Sequence, residues 1–324
     1  MKTRSGSLWV TVATPAEMPA VFALRHDVFV VGQNVPVEIE RDEFDDVAVH
    51  VCAWESDPEA SVGVPPRLAG TGRLLGEPPA PGRVGRMAVR AELRGSGVGR
   101  AVLRGLERAA IRRGNPAIEL HAQVHAREFY AKAGYTPVGS EFEEAGIRHV
   151  EMRKELPVIR PVADSDSEAL IELIGTTWAE YPGCVLDVDG EEPWLRAPAT
   201  YYATHGGRLW VAELGGTVVG SVGIRPGPDP DTAELKSLYV SASARRHGLG
   251  EVLTSLVEDE AVRLGVRQLE LWSDTRFLDA HRFYARLGYE QLPGSRELHD
   301  LSETVEYPFA KSFPYAEYAA DLVG

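Results

Sequence analysis

The sequence predicts an α+β chain of two similar halves, each a mixed, mostly antiparallel sheet flanked by helices. Three observations carry this. First, a glycine-rich loop occurs twice, as Arg94-Gly95-Ser96-Gly97-Val98-Gly99 and as Arg245-Arg246-His247-Gly248-Leu249-Gly250. Second, an aromatic segment follows each loop, Ala126-Arg127-Glu128-Phe129-Tyr130-Ala131-Lys132-Ala133-Gly134-Tyr135 and then Ala280-His281-Arg282-Phe283-Tyr284-Ala285-Arg286-Leu287-Gly288-Tyr289. Third, both motifs recur in the same order and at nearly the same interval, embedded in the same succession of strand-like and helix-like runs. Internal similarity of this kind indicates duplication.

In the first half, Leu8–Ala13 reads as a strand and Ala16–Val30 as a helix with Pro15 near its start. Strand-like runs follow at Val47–Trp54, Arg67–Leu75 and Val84–Val89, the last two separated by the Pro/Gly-rich stretch 77–82. A helix is expected over about Gly97–Arg113, with Val98, Ala101, Val102, Leu106 and Ala109 on its apolar face. Ala117–Val124 reads as a strand and Ala126–Ala133 as a short helix, and strands near Tyr135–Phe142 and Ile147–Met152 close the unit. After a join at Lys154–Pro157, the second half repeats the order. It has a strand Val158–Val162, a helix Asp164–Tyr181 capped by Asp164 or Ser165, and strands near Leu209–Leu214, Thr217–Arg225 and Glu234–Val240. Helix Gly248–Leu264, strand Gln268–Trp272, helix Phe277–Leu287 and two closing strands complete it. The expected domains are residues 1–155 and 156–324.

Bulk properties narrow the function. A chain of 324 residues with 44% hydrophobic content is long enough for two packed cores. No apolar run reaches the roughly 18 residues of a membrane span, and the opening Met1–Leu8 lacks the apolar core of a secretory signal. The two cysteines, Cys52 and Cys184, are too few for a disulfide scaffold or a cysteine zinc site, which suits a reducing cytoplasm. A net charge of −14 disfavours nucleic acid and is compatible with a cationic small molecule.

The glycine loops have a physical use. Glycine lets a backbone approach a ligand closely and adopt positive φ, and the first turn of the following helix offers unpaired N–H groups and partial positive charge to phosphate. There is no Gly-Lys-Ser/Thr of a nucleotide-hydrolysing loop. His121 and His125, four residues apart, straddle a strand end rather than share a helix face, so no metal site is expected.

Strand, Arg-x-x-Gly-x-Gly, helix, strand, then Ala-x-x-Phe-Tyr-x-x-x-Gly-Tyr resembles the GNAT superfamily of N-acetyltransferases, over nearly all of both halves. The first half is similar to the ElaA-like branch, through Leu24–Gln33, His121–Tyr130 and Gly146–Met152. The second resembles a general bacterial GNAT domain. The resemblance implies acetyl-CoA as co-substrate. It implies that the pyrophosphate lies on the residues Arg94, Gly95, Ser96, Gly97, Val98 and Gly99, or Arg245, Arg246, His247, Gly248, Leu249 and Gly250. The pantetheine arm is implied to pair with Met87, Ala88 and Val89, or with Leu238, Tyr239 and Val240.

Acetyl transfer to an amine needs a base for the amine, whose ordinary pKa is near 10, and benefits from an acid for the departing thiolate. The family pattern implies Glu234 as base and Tyr284 as acid in the second half. In the first, Tyr130 occupies the acid position, but Arg83 stands where Glu234 stands in the second and cannot serve as a base; Glu119 or His121 are substitutes outside the pattern. The second half is therefore expected to be catalytic and the first weakened. The carboxylates and aromatics between Tyr181 and Tyr202 either hold a cationic amine or form a solvated loop, and Glu38, Glu40, Asp42, Glu43, Asp45 and Asp46 make a similar acidic stretch in the first half. The acceptor is expected to be a small amine, with a protein amine or a non-catalytic acetyl-CoA-binding module as alternatives. The two halves would form a pseudo-dimer within one chain, itself a monomer or homodimer.

Overall fold

The computed structural model describes residues 8–56 and 66–313; the opening Met1–Ser7 lies outside them. The chain divides after Leu156 into two compact units. In the first, β1 (Leu8–Val12) leads through a single 3₁₀ turn into α1 (Met18–Arg25), followed by α2 (Val37–Glu40) and the strands β2 (Val49–Glu55), β3 (Arg67–Leu75) and β4 (Gly82–Val89). Then come α3 (Val98–Arg113), β5 (Ala117–Gln123), α4 (Arg127–Ala131), β6 (Thr136–Glu144) and β7 (Ile147–Glu155). The strands lie in the order β1-β2-β3-β4-β5-β7-β6. Every pairing is antiparallel except β4 with β5, which runs only from Gly82–Ile118 to Val84–Leu120. Beyond that point the two strands diverge, so the rest of β4 is free to face a ligand.

Helix α3 buries Val98, Val102, Leu103, Leu106, Ala110 and Ile111. Ala101 and Ala109, expected on the apolar face, are only half-buried. The helix approaches the sheet so closely that a Cβ on Gly105 would lie 2.7 Å from Val10 and Val51. The helix expected over Ala16–Val30 is continuous in path but changes hydrogen-bond pattern, with a π-helical turn over His26–Val31. That wider turn buries Val28 and brings Phe29 to a cleft wall.

The second unit repeats the plan with β8 (Val158–Pro161), α5 (Ser167–Trp178), α6 (Pro198–Thr204), β9 (Arg208–Leu214), β10 (Thr217–Pro226), β11 (Thr232–Val240), α7 (Leu249–Arg263), β12 (Gln268–Asp274), α8 (Leu278–Arg286) and the closing strands β13 (Glu290–Gln291), β14 (Arg296–Glu297) and β15 (Val305–Ser312). Here too one parallel pair stops early, β11 with β12 from Thr232–Gln268 to Glu234–Glu270. Leu235, Leu249, Leu253, Val257, Leu269, Leu271 and Phe309 pack one face of the sheet, while Leu170, Ile174, Leu195, Leu209 and Val211 pack the other. Glu234 is the third residue of β11, not the first as the sequence pattern suggests.

Two local readings change. The cap of α5 is neither Asp164 nor Ser165: Asp166 precedes the helix and its carboxylate accepts from the Ala163 amide at 2.7 Å and from Arg160. Asp164 instead accepts from the amide and hydroxyl of Thr200, tying in α6. The acidic stretch of the first unit is also largely committed internally. Glu40 and Asp45 receive Arg25, Asp42 and Asp45 receive Arg73, and Asp42 receives Arg86. Three carboxylates meet three guanidiniums, so this cluster carries no net charge toward a cationic substrate.

The duplication extends to a detail no short motif reveals. Glu107 of α3 pairs with Lys154 at 2.8 Å, and Glu258 of α7 pairs with Lys311 at 2.9 Å. Each lysine also lies 5.6 Å from the ring centre of the tyrosine that closes the aromatic motif, Tyr135 or Tyr289. Helix and final strand are latched identically in both units.

Candidate active site

Each unit holds a cleft where its parallel strands diverge, of about 860 Å³ in the first and 830 Å³ in the second, within the range of ligand sites. The glycine loops take the conformation their sequence demands. Gly97 and Gly248 cap their helices at φ +100° and +86°. Side-chain-free space suits an approaching ligand: a Cβ built at Gly95 or Gly97 would meet nothing within 4 Å. Behind the loops, Gly99 and Gly250 lie against the rings of Phe129 and Phe283, which explains why loop and aromatic motif recur together.

The second loop departs from the first at one position. Gly95 has φ +80°, and the matching residue Arg246 adopts φ +66°, a conformation costing a non-glycine residue about 1 kcal/mol or more. Arg246 lines the cleft. Arg245 is braced by Val240 O at 2.8 Å and by both oxygens of Glu180.

Of the other residues singled out from sequence, Met87, Val89, Arg94, Gly95, Gly97 and Gly99 line the first cleft, and Leu238, Tyr239, Val240, Gly248 and Gly250 line the second. Ala88, Val98 and Leu249 point into the cores. The Ser96 hydroxyl donates to Leu93 O, and neither Ser96 nor His247 contributes to a cleft wall.

Tyr130 and Tyr284 occupy matching cleft positions. Burial pushes the Tyr130 phenol up to about 12 and raises that of Tyr284 as well, so both stay protonated at neutral pH. The clefts differ at a bulge in the strand before the loop, where a non-glycine residue has positive φ in each unit: Arg86 at +52° and Ser237 at +50°. Arg86 donates to Ile39 O and Glu40 O and pairs with Asp42. Ser237 exchanges a hydrogen bond of 2.9 Å with the Tyr202 hydroxyl.

The carboxylates also differ. In the first cleft, Glu119 is paired with Arg153 at 2.5 Å and His121 with Glu144 at 2.9 Å. In the second, Glu234 shares a sheet face with its register partner Arg225, but its carboxylate is held by Lys236 at 3.1 Å and it is not part of the cleft wall. Glu192 is. Burial, with Glu191 and Asp300 nearby, raises its carboxyl above the usual range despite the Trp194 indole and Lys236. In the sequence nothing sets Glu192 apart from Asp187, Asp189 and Glu191, the other acids between Tyr181 and Tyr202. Cys184 also lines this cleft, its thiol raised by burial. Among the described residues no group of three His, Cys, Asp or Glu is placed to hold a metal, and no helix is long and apolar enough to cross a membrane.

With this geometry in hand, known proteins give the family. Residues 61–156 match the profile described as "Acetyltransferase (GNAT) domain" and residues 170–289 that described as "Acetyltransferase (GNAT) family". The uncharacterized N-acetyltransferase YjcF of Bacillus subtilis is 36% identical over 140 residues, 43% of this chain and 93% of the relative. The chain belongs to the GNAT acetyltransferase family. It carries two GNAT domains in tandem, and its N-terminal region is similar to proteins of the ElaA and YjcF type. Protein ElaA of Escherichia coli is 31% identical over 145 residues, 44% of this chain and 89% of the relative. The crystal structure of ElaA, 27% identical, covers 46% of this chain and 99% of its own, with a TM-score of 0.39. GNAT membership implies acyl-CoA binding and an amine acceptor.

Proposed function

We propose that the second unit transfers the acetyl group of acetyl-CoA to a primary amine by direct attack, and that the first unit binds acetyl-CoA but is catalytically weakened. The observation that carries this is the contrast at the strand bulge. At the second bulge Ser237 exchanges a hydrogen bond with the neutral Tyr202 hydroxyl, and Glu192 lines the cleft beside the neutral Trp194 indole, whereas Arg86 ties the first bulge into an ion network and Glu119 is committed to Arg153. The first cleft's volume, glycine loop and Tyr130 support a binding role for that unit.

In this reading the amides of Leu249, Gly250 and Glu251 and the side chain of Arg246 hold the pyrophosphate, and the edge of β11 left free by β12 pairs with the pantetheine arm. Acetyl-CoA supplies an activated thioester. Tyr284, kept protonated by burial, donates to the departing sulfur. Glu234 fixes Lys236 rather than meeting the amine. Amine-dependent thiol release, with one acetyl group gained by the amine on mass analysis, tests the activity; release with no primary amine in a broad panel would rule it out.

The left-handed arginine provides a second test. Arg246→Gly relieves backbone strain of about 1 kcal/mol, so the variant is expected to melt at or slightly above the wild-type temperature while binding acetyl-CoA severalfold more weakly. Unchanged affinity by calorimetry would remove Arg246 from the binding site.

A further inference from the structure

We propose that Glu192 accepts the proton of the acceptor amine in the second cleft, and that this acceptor is a primary amine without a carboxylate of its own. The inference rests on the acetyltransferase reading of this unit. It concerns a residue of the loop between α5 and α6, not of the strand on which the sequence pattern places the base.

Glu192 is positioned from two sides. Its amide donates to Asp187 O at 2.9 Å, and the Trp194 indole donates to its carboxylate. Trp194 in turn meets Tyr202 edge-on at 5.7 Å and lies 6.1 Å from Tyr201, and Tyr202 is bonded to Ser237 at the bulge. The carboxylate is thus connected, through an aromatic wall, to the strand that borders the reaction.

Other carboxylates of this cleft have commitments. Asp274, Asp279 and Glu306 are paired with Arg276, Arg282 and Arg296, while Glu191 and Asp300 accept from the amides of Leu301 and Thr304. The side-chain partner of Glu192 is a neutral indole, which leaves capacity on the carboxylate for an ammonium group. Its raised proton affinity moves it toward the working range of a general base.

The charges facing Glu192 select the substrate. Glu191 adjoins it in the loop, Asp300 faces it from the segment before β15, and Lys236 faces it from β11 with its charge answered by Glu234. The phenols of Tyr202 and Tyr239 are neutral, both raised by burial. Arg225 is the opposing cation, bonded to the Tyr201 hydroxyl at 3.2 Å. Three carboxylates against one guanidinium favour an ammonium and repel an acid, and the rings of Trp194, Tyr201 and Tyr202 suit an alkylammonium body.

The proton count closes. An alkylammonium loses one proton to Glu192, which passes it to water. The nitrogen then bonds the acetyl carbon as the carbon–sulfur bond breaks. Tyr284 gives its proton to sulfur and regains one from the new amide nitrogen, so the products are amide, free thiol and one released proton.

The test uses the full chain, acetyl-CoA, and 1,4-diaminobutane, n-butylamine and glycine as probes. Glutamine can still accept from the Trp194 indole, so Glu192→Gln should fold. It is expected to lower kcat about 100-fold and to remove the rise of kcat with pH that follows a carboxylate, leaving only the rise toward the amine's own pKa near 10. Glu234→Gln should keep the carboxylate limb, shifted to lower pH because Lys236 loses its counter-charge, Glu192→Asp should restore part of the rate, and glycine should be the poorest probe. Without any substrate, the Trp194 fluorescence, taken as the difference from Trp194→Phe, should titrate above the usual carboxylate range in wild type and be flat in Glu192→Gln. Retention of the carboxylate limb by Glu192→Gln, its loss in Glu234→Gln, or preference for glycine overturns the proposal. Absence of amine-dependent thiol release from wild type overturns the acetyltransferase reading as well.

Discussion

Tyr284→Phe is expected to lower kcat at least 100-fold with little change in acetyl-CoA affinity, the scale of a lost general acid. The ring packs among Tyr289 and Phe309 at centroid distances of 5.7 and 5.9 Å, and phenylalanine keeps that packing, so the loss isolates the hydroxyl. Tyr130→Phe, the matching change in the first unit, should leave turnover within twofold of wild type. Steady-state kinetics on both variants, with acetyl-CoA binding measured beside them, read the contrast. A large loss from Tyr130→Phe and none from Tyr284→Phe would reverse the assignment of the active unit.

The second large effect is on stability. Arg25 is fully buried and Arg73 nearly so, and both donate to Asp45, at 2.6 and 2.8 Å. Asp45→Asn leaves two buried guanidiniums short of a carboxylate and should destabilise the first unit by about 3–5 kcal/mol. Burial pushes the Asp45 carboxyl up, but the hydrogen bonds and charges of Arg25 and Arg73 outweigh it and hold it at about 2. Because the folded-state value lies below the ordinary 3.8, the stabilisation is complete above about pH 4 and is lost as pH falls toward about 2. The gap in melting temperature between wild type and Asp45→Asn, followed by scanning calorimetry of the whole chain, should therefore close over that window. A gap that stays constant to pH 2 would remove Asp45 as the titrating group.

Much of this architecture is legible in sequence because it depends on local rules. The glycine loops declare positive φ and a helix start, and Gly97 and Gly248 adopt both. The aromatic motif brings Tyr130 and Tyr284 to matching walls. What sequence did not reveal depends on partners far along the chain. Glu40, Asp42 and Asp45 read as an acidic stretch, either solvated or open to a cation, until Arg25, Arg73 and Arg86 are seen to claim them. The short helices α2 and α6 fall in segments to which no element is assigned from sequence, because four and seven residues are too few to show a helical apolar period. Glu192 is distinguished from Asp187, Asp189 and Glu191 only by what it faces: Asp187 caps its own turn and Asp189 pairs with Arg196.

The central claim, one catalytic unit beside one binding unit, is tested most directly by titrating acetyl-CoA calorimetrically into wild type, Gly97→Glu and Gly248→Glu while following amine-dependent thiol release. A glutamate at either position combines a strained positive φ with a negative charge at a phosphate-binding helix start. The account predicts two sites in wild type, one site with full turnover in Gly97→Glu, and one site with no turnover in Gly248→Glu. Turnover abolished by Gly97→Glu and retained by Gly248→Glu would contradict it.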